Sequence, residues 1–238
     1  MTYGMLIDLK RCVGCHACSV ACKEAHGTRP GVRRSRVERE FEGTYPDVRK
    51  TSLPLLCMHC EVAPCVEVCP TGASYRDSES GIVLVNEAKC IGCQYCLYAC
   101  PYGVRSWNAA EKCAEKCTLC GHLTSQDKLP ACVKSCAAGA RFYGDLDDPD
   151  SDASKELAKY SEGDIHTLQD VGNHPATRYI MTSMIGQWQD RIGRSSAYGC
   201  LPGGRVRSTH GNSMVPRSVH RPVGGGGVAC RLRRPRRL

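Results

Sequence analysis

The alternation of apolar and polar positions marks only short elements, separated by long polar stretches. Met1-Thr2-Tyr3-Gly4-Met5-Leu6-Ile7-Asp8 reads as a strand, and Gly81-Ile82-Val83-Leu84-Val85 as the return strand of a hairpin. Ser154 to Tyr160 reads as a short helix with Leu157 and Tyr160 inward and Lys155, Glu156 and Lys159 exposed. In residues 29–54, Arg33, Arg34, Arg36 and Arg39 alternate with Glu38, Glu40 and Glu42, which predicts a solvent-facing insertion anchored by Val37, Phe41, Tyr45 and Leu53. The acidic run Asp145 to Asp152 predicts a loop with helix-cap duty, because it lacks the Gly and terminal Glu spacing of a calcium loop. No run of 18 apolar residues is present, so no transmembrane helix is expected. The N-terminus shows no basic region followed by an apolar stretch, and hence no visible secretory signal.

Composition sharpens this picture. The 238 residues suffice for one domain or two small ones, yet only 14 are aromatic, two of them Phe. A core this thin needs another source of cohesion, and 19 cysteines supply the obvious one. The net charge of +8 is misleading, because residues 191–238 hold 11 Arg, no Lys and no acid, while the rest carries a balance of −3. That tail has nine Gly, four Pro and the run Gly224 to Gly227, and it is expected to be disordered. A basic arm for nucleic acid or anionic lipid is one reading of it. Arginine without lysine fits GC-rich codons translated out of frame better than selection for phosphate binding.

Sixteen cysteines fall into four repeated groups. Group I is Cys12, Cys15, Cys18 and Cys22; group II is Cys57, Cys60, Cys65 and Cys69; group III is Cys90, Cys93, Cys96 and Cys100; group IV is Cys117, Cys120, Cys132 and Cys136. Disulfides are disfavoured by the odd count and the lack of a visible export signal. Structural zinc would pair Cys-x2-Cys knuckles a dozen or more residues apart, which group IV alone resembles. Groups I and III instead pack four thiols at the 2-2-3 spacing of a cubane iron–sulfur cluster. Three thiols on a tight loop face one cluster, and the fourth, carried into the following helix, reaches the neighbouring cluster.

Four groups then imply four clusters in two mutually ligating pairs. Groups II and III both end in Cys-Pro and lie close in sequence, whereas groups I and IV continue into Lys23 and Ala137. The expected ligand sets are Cys12, Cys15, Cys18 and Cys136 (cluster 1); Cys57, Cys60, Cys65 and Cys100 (cluster 2); Cys90, Cys93, Cys96 and Cys69 (cluster 3); and Cys117, Cys120, Cys132 and Cys22 (cluster 4). His16, His26, His59 and His122 neighbour these cysteines, but the ligand sets are complete without them. Cys113-x3-Cys117-x2-Cys120 matches a radical S-adenosylmethionine motif by chance overlap, since no alternating βα pattern accompanies it. Lys10, Lys89 and Lys116 each stand just before a group, where a cation would raise the potential of an anionic cluster.

At these residues the chain resembles the four-cluster iron–sulfur subunit of molybdopterin oxidoreductases, the type found in dimethyl-sulfoxide, polysulfide, tetrathionate and arsenate reductases. The likeness is carried by Ile7 to Cys15, Cys57 to Ala73, Lys89 to Cys96, Lys116 to Cys120, Pro130 to Cys136, Gly144 to Pro149 and Asp170 to Tyr179. Cys136 is followed by Ala-Ala where that family often has Pro-Thr, which leaves the ligands intact. Some members replace one group III cysteine and hold a three-iron cluster; all four are present here, so four [4Fe–4S] clusters are expected.

The expected fold is α+β, with nested ferredoxin-like modules of short hairpins and helices around the clusters. One module joins residues 1–28 to 110–145, and residues 55–109 form the inserted one. Residues 29–54 are the insertion, 146–190 a partner-contacting C-terminal extension and 191–238 the basic tail. The chain shows no pterin-binding domain, nucleophile–base pair or G-x-G-x-x-G loop, so it is expected to transfer electrons and not to catalyse. The resemblance implies a molybdopterin catalytic subunit at one end and an integral-membrane, quinol-oxidising anchor at the other, with no nucleic acid. Association with the membrane would run through these partners, on the periplasmic face after co-export or on the cytoplasmic face. A hydrogenase or formate dehydrogenase subunit is the alternative within the class; a zinc and nucleic-acid-binding module is the alternative outside it.

Overall fold

Met5, Leu6 and Ile7 are completely buried, and the strand that carries them is the axis of the fold. The computed structural model describes residues 1–181, so the basic tail and residues 182–190 of the C-terminal extension lie outside the described residues. Along the chain run β1 (Tyr3–Asp8), α1 (Ala17–His26), β2 (Arg36–Glu42), β3 (Arg49–Leu55), α2 (Pro64–Glu67), β4 (Ser74–Arg76) and β5 (Val83–Val85). There follow α3 (Tyr95–Tyr98), β6 (Ser106–Asn108), β7 (Cys113–Glu115), α4 (Gly121–Thr124) and α5 (Ala131–Lys134). The described chain closes with β8 (Arg141–Asp145), α6 (Asp152–Leu157), β9 (Ile165–His166) and β10 (Arg178–Ile180).

The sheet order is β8-β1-β10-β9. Strand β1 pairs antiparallel with β8, from Tyr3↔Asp145 to Ile7↔Arg141, and parallel with β10, from Leu6↔Arg178 to Asp8↔Ile180. A strand paired on both edges and covered on both faces needs an unbroken apolar run, which Met5-Leu6-Ile7 provides. The remaining strands form three hairpins: β2 with β3, β4 with β5, and β6 with β7. The Gly81–Val85 segment is the return strand expected, with Val83–Val85 paired to Ser74–Arg76.

The 29–54 segment differs from expectation. It is a long hairpin whose base is buried through Val37, Leu53 and Leu55, but Phe41 and Tyr45 are 67% and 89% exposed and anchor nothing. The pairing Arg36↔Leu55 to Glu42↔Arg49 carries Phe41 and the hairpin turn away from the core, although Glu40, expected to face solvent, is buried. Helix α6 also starts earlier than expected and turns Ala153 and Glu156 inward. Glu156 is buried because Arg11 Nη2 donates to it at 2.8 Å and Lys159 Nζ at 2.6 Å. Its N-cap is Ser151, whose Oγ accepts from Ser154 N, while Asp145 and Asp148 accept backbone N–H bonds that fold the preceding loop.

The core mixes aliphatic side chains with thiols. Ile7, Leu53, Leu55, Leu56, Met58, Leu119, Leu168 and Tyr179 pack in one cluster with Cys18, Cys57, Cys60, Cys65, Cys117 and Cys132.

Candidate metal centres

Each cysteine group opens on a turn with the same backbone geometry. The third residue of each Cys-x2-Cys turn, Gly14, His59, Gly92 and Leu119, has φ of 66°, 47°, 75° and 51°. A left-handed residue inside such a turn gathers backbone N–H groups into a concave, anion-accepting surface of the kind used at iron–sulfur sites. Two positions use glycine. At Gly14 a Cβ would also run into Ser52 Oγ. The other two positions force a side chain into a conformation that costs an L-residue about 1–2 kcal/mol. His59 is held there by burial and by Val83 N, which donates to its Nδ1 at 3.1 Å.

The turns deliver thiols to shared spaces. Cys57, Cys60 and Cys65 line one cavity together with Cys100. A second cavity is lined by Cys69, Cys90, Cys93 and Cys96. In both, three thiols come from one group and the fourth from the last cysteine of the other. In the other half of the protein, Cys12 lies within electrostatic range of Cys18 and Cys136. Cys22 lies likewise near Cys132 and Cys120, and Cys117 near Cys132 and Cys22. Cys15 and Cys93 are exposed, whereas Cys22, Cys117, Cys120, Cys132, Cys57, Cys60 and Cys65 are buried. Among the described residues no three His, Cys, Asp or Glu side chains converge on one ion position; in the two cavities the sulfurs ring a wider space.

The surroundings suit an anionic, sulfur-ligated group. Burial pushes the Cys22 and Cys60 thiols up to about 12, and neighbouring thiols add to the effect. Left bare at neutral pH these sulfurs keep their protons; a metal cluster displaces them and supplies the compensating charge. Donors already point at the sulfurs. Backbone N–H groups of Ser74, Ala140 and Leu119 reach Cys69, Cys136 and Cys117 Sγ at 3.3, 3.3 and 3.4 Å. Asn173 Nδ2 donates to Cys60 Sγ at 2.9 Å, and Arg105 Nη2 to Cys65 Sγ at 2.9 Å. Several buried donors have no protein partner, including His59 Nε2, Arg105 Nε and Nη1, and Arg141 Nη1.

The three lysines are placed differently from one another. Lys10 is half-exposed and pairs with Asp164 at 3.6 Å, above the Tyr160 ring. Lys89 is exposed. Lys116 is fully buried, donates to Val83 O and to Cys117 O, and lies within electrostatic range of Cys57, Cys117 and Cys65. Among the histidines, His26 sits 3.3 Å from Cys120 Sγ through Nε2. Burial first, then Arg34 and His122, lower its pKa to about 4, so the ring is neutral at pH 7. Arg34 Nη1 donates to Nδ1 at 3.2 Å, which leaves the proton on Nε2 and makes it the donor to the sulfur. Cys113 is buried in β7, in electrostatic range of Cys90 but outside both cavities.

Arg105 and Arg141 each stand five residues after the last cysteine of a group, a shared spacing visible in the sequence, whereas Asn173 carries no such signal in the cysteine spacing. Asn173 lies in the Asp170-Val-Gly-Asn-His-Pro stretch, whose turn is tied by Asp170 Oδ1 accepting from Gly172, Asn173 and His174 N. That density of turn residues is the only local hint that the segment is built to hold one side chain in place.

Comparison with known proteins agrees with this chemistry. A family model described as a 4Fe-4S dicluster domain matches residues 48–146, and one described as a 4Fe-4S binding domain matches residues 3–24. The chain is 42% identical over 197 residues to a sulfite dehydrogenase subunit of Allochromatium vinosum, covering 74% of this chain and 81% of that protein. It is 37% identical over 228 residues to the arsenate respiratory reductase iron–sulfur subunit of Shewanella sp., covering 76% and 96%. To a tetrathionate reductase subunit of Salmonella typhimurium it is 41% identical over 199 residues, covering 80% and 79%.

Proposed function

Because the chain belongs to the iron–sulfur, electron-transfer subunits of molybdopterin-type reductases, we propose that it holds four [4Fe–4S] clusters in two cross-ligated pairs. It is a relay in a respiratory complex, with no catalytic centre of its own. The ligand sets proposed are Cys12, Cys15, Cys18 and Cys136; Cys57, Cys60, Cys65 and Cys100; Cys69, Cys90, Cys93 and Cys96; and Cys22, Cys117, Cys120 and Cys132. The observation that carries this reading is the cavity lined by Cys57, Cys60 and Cys65 of one group and Cys100 of the next. When bound, each cluster supplies a centre that takes up and releases one electron with little rearrangement.

The protein's own residues set the order of these centres. Cys18 of the first set neighbours Cys132 of the last. Cys117 of that set neighbours Cys57, and Cys65 in turn neighbours Cys96. The sets therefore follow one another as group I, group IV, group II and group III, each joined to the next by neighbouring thiols. The outer sets hold the exposed Cys15 and Cys93, where electrons enter and leave; the inner sets are shielded from water by the core. The nested modules follow the same pairing: residues 1–28 with 110–145 around residues 55–109.

The partners in this reading are a molybdopterin catalytic subunit at one exposed end and a quinol-oxidising membrane anchor at the other. Among the described residues no helix is long and apolar enough to cross a membrane, so attachment falls to the anchor. Anaerobic purification should give about sixteen iron and sixteen sulfide per chain. Zinc in place of iron and sulfide would overturn the reading.

A further inference from the structure

We propose that Arg105 and Arg141 are matching charge-compensating residues, each set at the seam of one cluster pair and serving both of its clusters. The inference rests on the cross-ligated arrangement above and adds to it two residues that bind no iron.

The two arginines occupy the same place in the repeat. Arg105 lies five residues after Cys100, in Cys-Pro-Tyr-Gly-Val-Arg, and Arg141 five after Cys136, in Cys-Ala-Ala-Gly-Ala-Arg. In both stretches the glycine has positive φ, 55° at Gly103 and 58° at Gly139, and its N–H returns to the cysteine carbonyl at 3.2 and 3.0 Å. The shared turn brings each arginine back among thiols of two sets, Arg105 beside Cys65 and Cys96 and Arg141 beside Cys132 and Cys18.

Both guanidinium groups are buried, 7% and 3% exposed, and neither is neutralised by a carboxylate among the described residues. Arg105 Nη2 donates to Cys65 Sγ at 2.9 Å and Ser74 Oγ at 2.7 Å, and the side chain lines both thiol cavities. Its electrostatic neighbours are Cys65, Cys96, Cys57 and Cys100, which belong to both sets of that pair. Arg141 Nη2 donates to Ser35 Oγ at 3.4 Å, and its neighbours Cys132 and Cys18 likewise belong to the two sets of the other pair. Arg105 Nε and Nη1 and Arg141 Nη1 have no protein partner.

A lone buried cation is strongly unfavourable unless an anion faces it. A thiolate-ligated cluster is anionic and gains one further negative charge on reduction, so a cation at the seam favours the reduced state of both neighbours. Serving both clusters, it raises their two potentials together. A residue needed only for packing would influence iron loading but would not divide the potentials into two pairs.

The test is an EPR-monitored redox titration of the full chain, purified anaerobically with its iron, carrying Arg105→Gln or Arg141→Gln. Arg105→Gln should lower two of the cluster potentials and leave the rest in place; Arg141→Gln should lower the others. Arg105→Lys and Arg141→Lys should restore most of each shift. Native iron content with no shift, or a shift shared by all clusters, would overturn the proposal. If a Gln variant loads less iron, the Lys variant decides: full loading at near-native potentials supports the role of charge, and failure to load contradicts it. A parent chain that binds no iron would instead contradict the cluster assignment itself.

Discussion

Asn173 Nδ2 donates to Cys60 Sγ at 2.9 Å across 113 residues of sequence. The same nitrogen donates to Tyr102 Oη at 2.8 Å, and Tyr102 Oη donates in turn to Gln169 O at 2.9 Å. One buried amide thus fastens the C-terminal segment to the group II thiols. The nearest that local sequence comes to announcing it is the asparagine's place in a turn tied by Asp170.

Replacing Asn173 with Leu removes the sulfur donor while Tyr102 keeps Gln169 O as its acceptor. Loss of a hydrogen bond to a charged sulfur should cost about 1–3 kcal/mol of stability. It should also lower the potential of the cluster held by Cys57, Cys60, Cys65 and Cys100, since hydrogen bonds to sulfur raise that potential. Denaturant unfolding of the iron-loaded protein and a redox titration check the two effects separately.

Gly14→Ala drives a methyl into Ser52 Oγ at a φ of 66°. The left-handed conformation alone should cost about 1–2 kcal/mol. Adding Ser52→Gly should recover the steric part and leave that conformational remainder. Urea midpoints of the single and double variants give the division, and recovery to the parent value would show that φ carries no cost.

Glu156 offers a test of acid sensitivity. Burial alone would raise its carboxyl, but hydrogen bonding from Lys159 and the Arg11 charge outweigh it and hold the group below the ordinary carboxylate range. A carboxyl lowered in the folded state contributes stability above its unfolded pKa and loses it as pH falls through the folded one. The stability difference between the parent and Glu156→Gln should therefore be full near pH 7 and shrink on acidification below about pH 4. A difference that does not change with pH would contradict the pairing with Arg11 and Lys159.

Removal of iron should unfold much of the chain. Bare Cys22, Cys60 and Cys117 thiols leave a core of protonated sulfur around open cavities, with Arg105 and Arg141 lacking an anion. Far-ultraviolet circular dichroism after anaerobic chelation should lose most of its native signal, and a native-like spectrum would contradict the dependence of the fold on its metal.

The groups of cysteines were legible because each is local: spacing alone sets which thiols share a turn. The strand at Met5-Leu6-Ile7 and the hairpin return at Val83–Val85 were legible for the same reason. What escaped depends on distant partners. Glu156 is an exposed helical position until Arg11 of another element meets it, and Arg105 is an ordinary arginine until Cys65 and Cys96 close around it. Phe41 and Tyr45 have anchoring chemistry, but the length of the hairpin carries them past anything to anchor on. The left-handed residues show the same divide: Gly14 and Gly92 suit a positive φ by type, whereas His59 and Leu119 do not.

The arrangement stands on thiols exchanged between sister groups, and a set of four substitutions measures that exchange directly. Cys69→Ser and Cys93→Ser should each abolish the same EPR component of the dithionite-reduced protein, while Cys65→Ser and Cys100→Ser should each abolish a different one. If Cys69→Ser removes the component lost in Cys65→Ser and spares the one lost in Cys93→Ser, the groups ligate independently and the cross-ligated account is wrong.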